Sequence, residues 1–290
     1  MTLVLSLFPG IGMLDAAFEE EGFCVVRGPD VLWGGDIRRF HPPAGKFDGV
    51  IGGPPCQCFS SLAHMVRANG HQPKFGNLIP EFERCVAEAA PAWWLMENVP
   101  QAPVPVVSGY AAWSCLLDNR QLGETQRRIR RWTFGVRGSR HRFLSIEIMA
   151  LENPHFDYAA CGGGRGGGGM YRENCGAASP EALARALARK RGVPVAIGGS
   201  GKEKPAVRAA RRVTSAVGFN FKTTSAFRRL CKLQGLPEDF DLPPFNVQAK
   251  CQAVGNGVPM AMGRAIARAV REATGQVHRE ERRSYREATR

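Results

Sequence analysis

Apolar positions along the chain fall into two kinds of run. Short, nearly continuous ones predict buried strands: Thr2 to Phe8, Phe23 to Val26 ending near Asp30, Phe47 to Ile51, and Trp93 to Met96. Between them apolar positions recur at helical spacing. Leu14, Ala17, Phe18 and Glu21 share a face, with Gly22 placed as a C-terminal cap, and Phe82, Cys85, Val86 and Ala89 share another over Glu81 to Ala90. Gly109 to Leu117 is expected to be helical. Gln126 to Gly135 runs from a basic cluster into a β-prone segment, and on a strand Gln126, Arg128 and Arg130 would face one way. Phe227 to Leu233 predicts a helix closed by Gln234-Gly235-Leu236-Pro237. Gln252 to Pro259 reads as a turn before a long amphipathic helix from Met260 to about Ala273. Strands alternating with helices imply an α/β fold with a doubly wound, mostly parallel sheet.

The pattern breaks after about residue 140. Cys161 to Gly169 is glycine-rich and of low complexity, Ser179-Pro180-Glu181 opens a helix to about Arg191, and Gly198 to Lys204 is another loose stretch. The expected organisation is a catalytic α/β domain over 1–139 and a small irregular domain over 140–222. Residues 223–275 return to the first domain, and a charged tail occupies 276–290.

A chain of 290 residues is long enough for a large α/β domain and a smaller one. No apolar run is long enough to span a bilayer, so no membrane partner is expected, and Leu3 to Phe8 lacks a basic leader. Nine cysteines without paired spacing suit a reducing, cytoplasmic setting. Cys56 and Cys58 form a C-x-C without a second pair, which argues against zinc, and no metal is expected. The net charge of +13 is unevenly spread: residues 1–110 hold 7 Lys+Arg against 11 Asp+Glu, net −4, and the remainder holds 32 against 15, net +17. That asymmetry points to a polyanion bound mainly by the second half.

The candidate chemistry centres on Val50 to Ser60. Gly52-Gly53 and Pro54-Pro55 put Cys56 on a stiff loop at the carboxyl end of a strand, where open α/β sheets place ligands. Glu97 ends the next strand at the same sheet edge, and under apolar neighbours it would favour its protonated form. Gly10 and Gly12 allow a ligand close to the backbone, whereas Asp15 in place of a third glycine disfavours a dinucleotide. Asp30 suits ribose hydroxyls and Asp36 an adenine amino group. Residues 61–80 are polar and long enough to form a lid.

In their order, these motifs resemble those of the cytosine-C5 DNA methyltransferases, bacterial and phage type. Phe8-Pro9-Gly10-Ile11-Gly12 is similar to the first S-adenosylmethionine motif, Pro54-Pro55-Cys56-Gln57 to the nucleophile motif and Glu97-Asn98-Val99 to the acid motif. Gln126-x-Arg128-x-Arg130, Gln234-Gly235-Leu236-Pro237 and Gly255-Asn256-x-Val258-Pro259 are similar to the later ones. The 140–222 segment stands where that family carries target recognition. The resemblance implies catalytic roles for Cys56, Glu97, Arg128 and Arg130, the last two holding the flipped base and its phosphate. It implies an S-adenosylmethionine pocket lined by Phe8, Gly10, Gly12, Asp30, Asp36, Ile37, Pro54, Asn256 and Val258. Gln57, Ser60, Asn98 and Gln126 would face the substrate. It also implies duplex DNA as partner, a monomer, and room for a cognate restriction nuclease. tRNA methylation, known from one branch, is disfavoured by the lack of a Cys-Phe-Thr tripeptide; a silent DNA-binding homologue is the other alternative. Ser6 departs from the family's usual Asp, and Cys58 from its small residue two after the nucleophile.

Overall fold

The computed structural model describes residues 2–59, 75–124, 126–149, 157–158, 223–243 and 245–288, with side chains in the last helix described as far as Gly275. The expected lid at 61–80 is described only from Phe75 onward, and almost all of 140–222 and Ser60 lie outside the described residues. The chain divides into two compact units: Met1–Leu122, Ile129–Ala150 and Gly257–Arg290 form the first, and Gly123–Arg128 with Leu151–Asn256 the second.

The first unit is built on six strands: β1 (Leu3–Leu7), β2 (Cys24–Arg27), β3 (Gly49–Gly52), β4 (Trp93–Asn98), β5 (Tyr110–Asp118) and, later in the chain, a strand at Ile129–Arg137. The short strand between them, Gln126–Arg127, is β6, so Ile129–Arg137 is β7. The sheet order is β2-β1-β3-β4-β7-β5, with β1 to β4 parallel and β7 antiparallel to both neighbours. Helix α1 (Met13–Glu20) follows β1 and α2 (Ile79–Ala89) precedes β4. Phe82, Cys85, Val86 and Ala89 of α2 pack with Leu5, Leu7, Val50 and Trp94 on one face. On the other, Leu14 and Phe18 pack with Val4, Ile51, Trp93 and residues of the closing helix Met260–Ala288. Burial on both faces is why these parallel strands read as continuous apolar runs.

The adjacent tryptophans of β4 serve opposite faces, as strand alternation demands. Each lies flat over a glycine of a paired strand: Trp93 over Gly49 and Trp94 over Gly135. A Cβ on either glycine would sit 2.2 Å from the indole. The bare backbone there makes room for the largest side chain, and both indoles are fully buried.

Three expectations are corrected. Tyr110 to Asp118 is a strand, not a helix. Trp113 and Cys115 pair with Phe134 and Trp132, and these cross-strand contacts override an ambiguous local pattern. Gln126, Arg128 and Arg130 do not share one strand. Gln126–Arg127 pairs with β8 (Asp157–Tyr158) in a two-stranded sheet, whereas Arg130 lies in the six-stranded one, so the chain changes sheets at Arg128. Finally, Val247–Asn256 is helical, so Gln252 to Asn256 closes a helix and the turn before Met260 is only Gly257 to Pro259.

With α1 and α2 assigned, Thr224–Leu233 is α3, Val247–Asn256 is α4 and Met260–Ala288 is α5. In the second unit α3 packs on α4. The side chain of Thr223 accepts the Ala226 N–H at the start of α3, and Gly235, at φ 71, reverses the chain so that Leu236 N–H donates to Cys231 O.

Candidate active site

Two side-chain groups gather at the carboxyl ends of the parallel strands. The first surrounds the turn after β1. Phe8, Gly10 and Gly12 all have positive φ (56°, 56° and 79°), and a Cβ at Gly10 would meet no atom within 4 Å. The backbone at Gly10 is open to close approach, whereas a Cβ at Gly12 would meet the Arg27 guanidinium. Asp30 accepts the Gly10 N–H at 2.9 Å through one oxygen and the Leu32 N–H at 2.7 Å through the other. Each oxygen keeps a lone-pair direction for a further donor, such as a ribose hydroxyl. Trp33 donates through its indole N–H to Gly10 O at 2.6 Å and is 57% exposed. Its place beside Gly10 was not legible in the sequence, because it depends on the path of the connection after β2. Asp36 caps the next turn, accepting the Arg38 N–H at 3.1 Å, and Ile37 is buried among Leu5, Leu7 and Val50. These residues fit a nucleoside-bearing cofactor: bare backbone, two carboxylates and an indole at one sheet edge. Val258, by contrast, is a core residue packed with Leu14 and Met262.

Beside the same turn lies a buried carboxylate with a half-exposed cation. Ser6 Oγ donates to Asp15 Oδ1 at 2.5 Å, and Arg27 Nε stands 2.9 Å from Oδ2, an ion contact rather than an aligned hydrogen bond. Burial pushes the Asp15 carboxyl up, against the hydrogen bond from Ser6 and the charge of Arg27. Where the family pattern has an acidic residue at position 6, this chain brings a carboxylate to that side chain from α1.

The second group surrounds the cysteine loop. The register Gly52 to Met96 makes Gly53 and Glu97 the next residues at one edge. A Cβ on Gly53 would stand 3.3 Å from Glu97 Oε2, so the backbone entering the Pro54-Pro55-Cys56 loop passes against that carboxylate. Asn98 is buried; its amide donates to Pro54 O at 3.1 Å, and its oxygen accepts the Val99 N–H. Cys56 is half-buried against the core that includes Val50 and Met96. Gln57 Oε1 accepts the Phe75 N–H at 3.3 Å and Cys58 donates to Phe75 O at 3.4 Å, tying the loop to the segment that leads into α2. Glu97, expected under apolar neighbours, has a cation beside it: Arg130 Nε is 2.8 Å from its Oε1, with both side chains 13% exposed. Arg130 thus engages one oxygen of Glu97 while the other faces Gly53.

Gln126, Arg128 and Asn256 belong to the second unit. Arg128 donates to Gly255 O at 3.0 Å and Asn256 O at 3.4 Å, and Gln234 to Val254 O at 2.8 Å. A cation and an amide there complete the carbonyls at the C-terminus of α4. Gln126 is buried, and its amide has no hydrogen-bond partner, a condition that a polar ligand would relieve. No group of three or more His, Cys, Asp or Glu among the described residues is placed to hold a metal, and no helix among them is long and apolar enough to cross a membrane.

An open α/β sheet with a glycine turn after β1 and a cysteine loop after β3 defines the class: a doubly wound α/β fold with a thiol at the sheet edge where such folds place ligands. The sequence profile of the C-5 cytosine-specific DNA methylases matches residues 33–103. The type II methyltransferase M.HgiGI of Herpetosiphon aurantiacus is 31% identical over 119 residues, 34% of this chain and 90% of that one. The chain belongs to this family. M.FnuDI of Fusobacterium nucleatum is 33% identical over 112 residues, 33% of this chain and 32% of that one; M.HgiDI of Herpetosiphon aurantiacus is 29% identical over 177 residues, 50% and 54%. The chain therefore spans about a third to about a half of the length of several curated relatives it matches. Among solved structures, a DNA modification methyltransferase described as putative, encoded within an Escherichia coli prophage, superposes with a TM-score of 0.52 at 16% identity, covering 95% of this chain and all of that one. A Spodoptera frugiperda DNMT2 mutant superposes at 0.53 with 14% identity, covering 93% and 99%. At these identities the likeness is one of fold.

Proposed function

We propose that this chain transfers a methyl group from S-adenosylmethionine to C5 of cytosine in double-stranded DNA, through a covalent bond between Cys56 and C6. The observation that carries the reading is the meeting of the cysteine loop with the Glu97–Arg130 pair at one sheet edge, with Gly53 against the carboxylate and Asn98 bound to Pro54. The bound cofactor supplies an electrophilic methyl on a sulfonium. Cys56, as thiolate, forms the S–C6 bond and pushes electron density to C5, a carbon otherwise too weak a nucleophile. Glu97 faces N3 through the oxygen that Arg130 leaves available, and a proton taken up from solvent on base binding is held between that oxygen and N3, where it offsets the developing charge. C5 then takes the methyl, which leaves the cofactor as its thioether; water takes the C5 proton, the Cys56 sulfur leaves as thiolate, and the proton on N3 returns to the Glu97 side, which restores the ring. C6 is out of reach inside a stacked duplex, so the base is extruded first. Gly10, Gly12, Asp30 and Asp36 bind the cofactor. Gln126, with its unsatisfied amide, is a contact for the substrate strand. Target recognition belongs to 140–222, and the reading carries with it a cytoplasmic monomer.

Bisulfite sequencing of DNA from cells expressing the protein tests this. Protected cytosines in one recurring sequence context, absent with Cys56→Ser, are expected. A folded, cofactor-binding protein that protects no cytosine would overturn the proposal.

A further inference from the structure

The connection from β2 to β3 runs from Gly28 to Asp48 and holds nothing longer than two three-residue 3-10 turns, Val31–Trp33 and Ile37–Arg39. A stretch this long without regular structure is costly to order, and side-chain anchors must hold it. One anchor is the pair of Asp30 and Trp33 on Gly10. Another is Asp48, which accepts the Leu3 N–H at 2.7 Å, and a further one comes from α2. Arg84, on the second turn of α2, donates through Nη2 to Ile37 O at 2.8 Å and to Phe40 O at 3.0 Å. Its Nε bonds Glu81 at 2.9 Å and its Nη1 bonds Glu88 at 2.8 Å, two carboxylates one helical turn to either side that fix the guanidinium plane. Glu88 in turn stands 3.1 Å from His41 Nδ1, at the far end of the braced segment. The guanidinium is thus held by two acids of its own helix and aimed at two main-chain carbonyls of another segment. Ile37 carries the first of those carbonyls and Asp36 directly precedes it.

We propose that Arg84 is a positioning residue for the cofactor: it presets the Asp36–Ile37 turn in its binding conformation before S-adenosylmethionine arrives. The inference rests on the reading that this turn belongs to the cofactor pocket. A planar fork is required, because one ammonium cannot reach two acids and two carbonyls together. Without it the turn samples other conformations, and apparent affinity falls by the fraction still competent. If that fraction drops to about a tenth, the dissociation constant rises about tenfold.

The test measures S-adenosylhomocysteine binding by calorimetry, with hydrogen exchange of the amides of 36–41, for the full chain and three variants. Asp36→Ala should weaken binding; unchanged affinity there would remove the site reading itself. Arg84→Met should weaken binding about tenfold and speed exchange at 36–41. Arg84→Lys, which keeps the stem and the charge, should fall on the same side and covers the case in which Arg84→Met does not fold. Glu81→Gln removes one clamp, leaves both carbonyl bonds, and should change affinity less than either Arg84 variant. A merely structural arginine would lower the melting temperature and leave affinity and local exchange as they were. That result, with Asp36→Ala weakened, would overturn the proposal while sparing the site.

Discussion

Separating Glu97 from Arg130 is the most informative perturbation of the site. The two groups meet at 2.8 Å with 13% of each side chain exposed, so each has given up most of its water. Replacing Arg130 with Met leaves a carboxylate in that position without its cation. Breaking a fully buried pair from one side costs about 3–5 kcal/mol, and the residual exposure here lowers that to about 2–3 kcal/mol. Such a loss lowers the melting temperature of a chain this size by about 4–10 °C. Glu97→Gln abandons Arg130 instead and should cost somewhat less, since that side chain can turn toward solvent. The double variant should be less destabilised than the two single losses added, with a coupling of about 1–2 kcal/mol. The assay is urea unfolding followed through the buried Trp93, Trp94 and Trp132, run beside steady-state methyl transfer. In the transfer assay Glu97→Gln should lose about 10²–10⁴-fold. Arg130→Met should also lose rate, and the double variant should be no slower than Glu97→Gln, because the arginine acts through the carboxylate. Additive stability losses would show that the pair does not exist in solution. A Glu97→Gln protein with full transfer would show that the carboxyl takes no part in the chemistry.

Gly135→Ala and Gly49→Ala each drive a methyl group into a fixed indole, and each should lower stability by about 1–3 kcal/mol, read as an earlier unfolding midpoint. Cys85, Cys115, Cys231 and Cys251 have thiols pushed up to about 11, in each case chiefly by burial. Native-state alkylation at pH 8, mapped by mass spectrometry, should spare these four and modify Cys56 before any of them. Glu20 is held below the usual carboxylate range by its hydrogen bond from Arg264, against a smaller effect of burial. Its contribution is present above pH 4.5 and lost as pH falls through the folded value; the pair is half-exposed, so Glu20→Gln should cost about 0.2–1 kcal/mol at pH 7 and nothing at low pH. Asp15 has the opposite sign. Its carboxyl is raised, so its contribution is lost as pH rises through the folded value, and Asp15→Asn should flatten the stability profile from pH 3 to 7.

How much of this was legible in the sequence follows from where the determining contacts lie. The strands β1, β3 and β4 and the helices α1 and α2 announce themselves, because burial on both sheet faces leaves unbroken apolar runs and each helix has one apolar stripe. The cysteine loop and Glu97 were readable as sheet-edge residues for the same reason. Tyr110 to Asp118 was not, since its alternation is imperfect and its partner strand lies downstream. The helix ending at Asn256 was obscured by Gly255 and Gly257, which read as a turn. The bond from Arg128 to Gly255 was not legible, because nothing local shows that a helix end 127 residues away needs its donors. Arg84 was hidden more deeply: with Glu81 and Glu88 around it, the sequence shows only a solvated i,i+4 ion pair, whereas the structure turns its remaining donors onto a distant backbone. Ser6 was noticed as a departure, but the answering carboxylate of Asp15 needed the register of α1 against β1 to be seen.

The proposed reaction runs through a bond between one sulfur and one carbon, and that bond can be trapped. Once methylation mapping has supplied the target context, a duplex carrying 5-fluorocytosine at the target position, incubated with the protein and S-adenosylmethionine, should stop after methyl transfer. A fluorine at C5 cannot leave as a proton, so the enzyme remains attached. The predicted result is a covalent complex of the summed mass whose peptide map places the modification on Cys56, and its absence with Cys56→Ser. An adduct on Cys58, or methylated DNA from ordinary substrate with no trapped complex from the fluorinated one, would contradict the assignment of Cys56 as nucleophile.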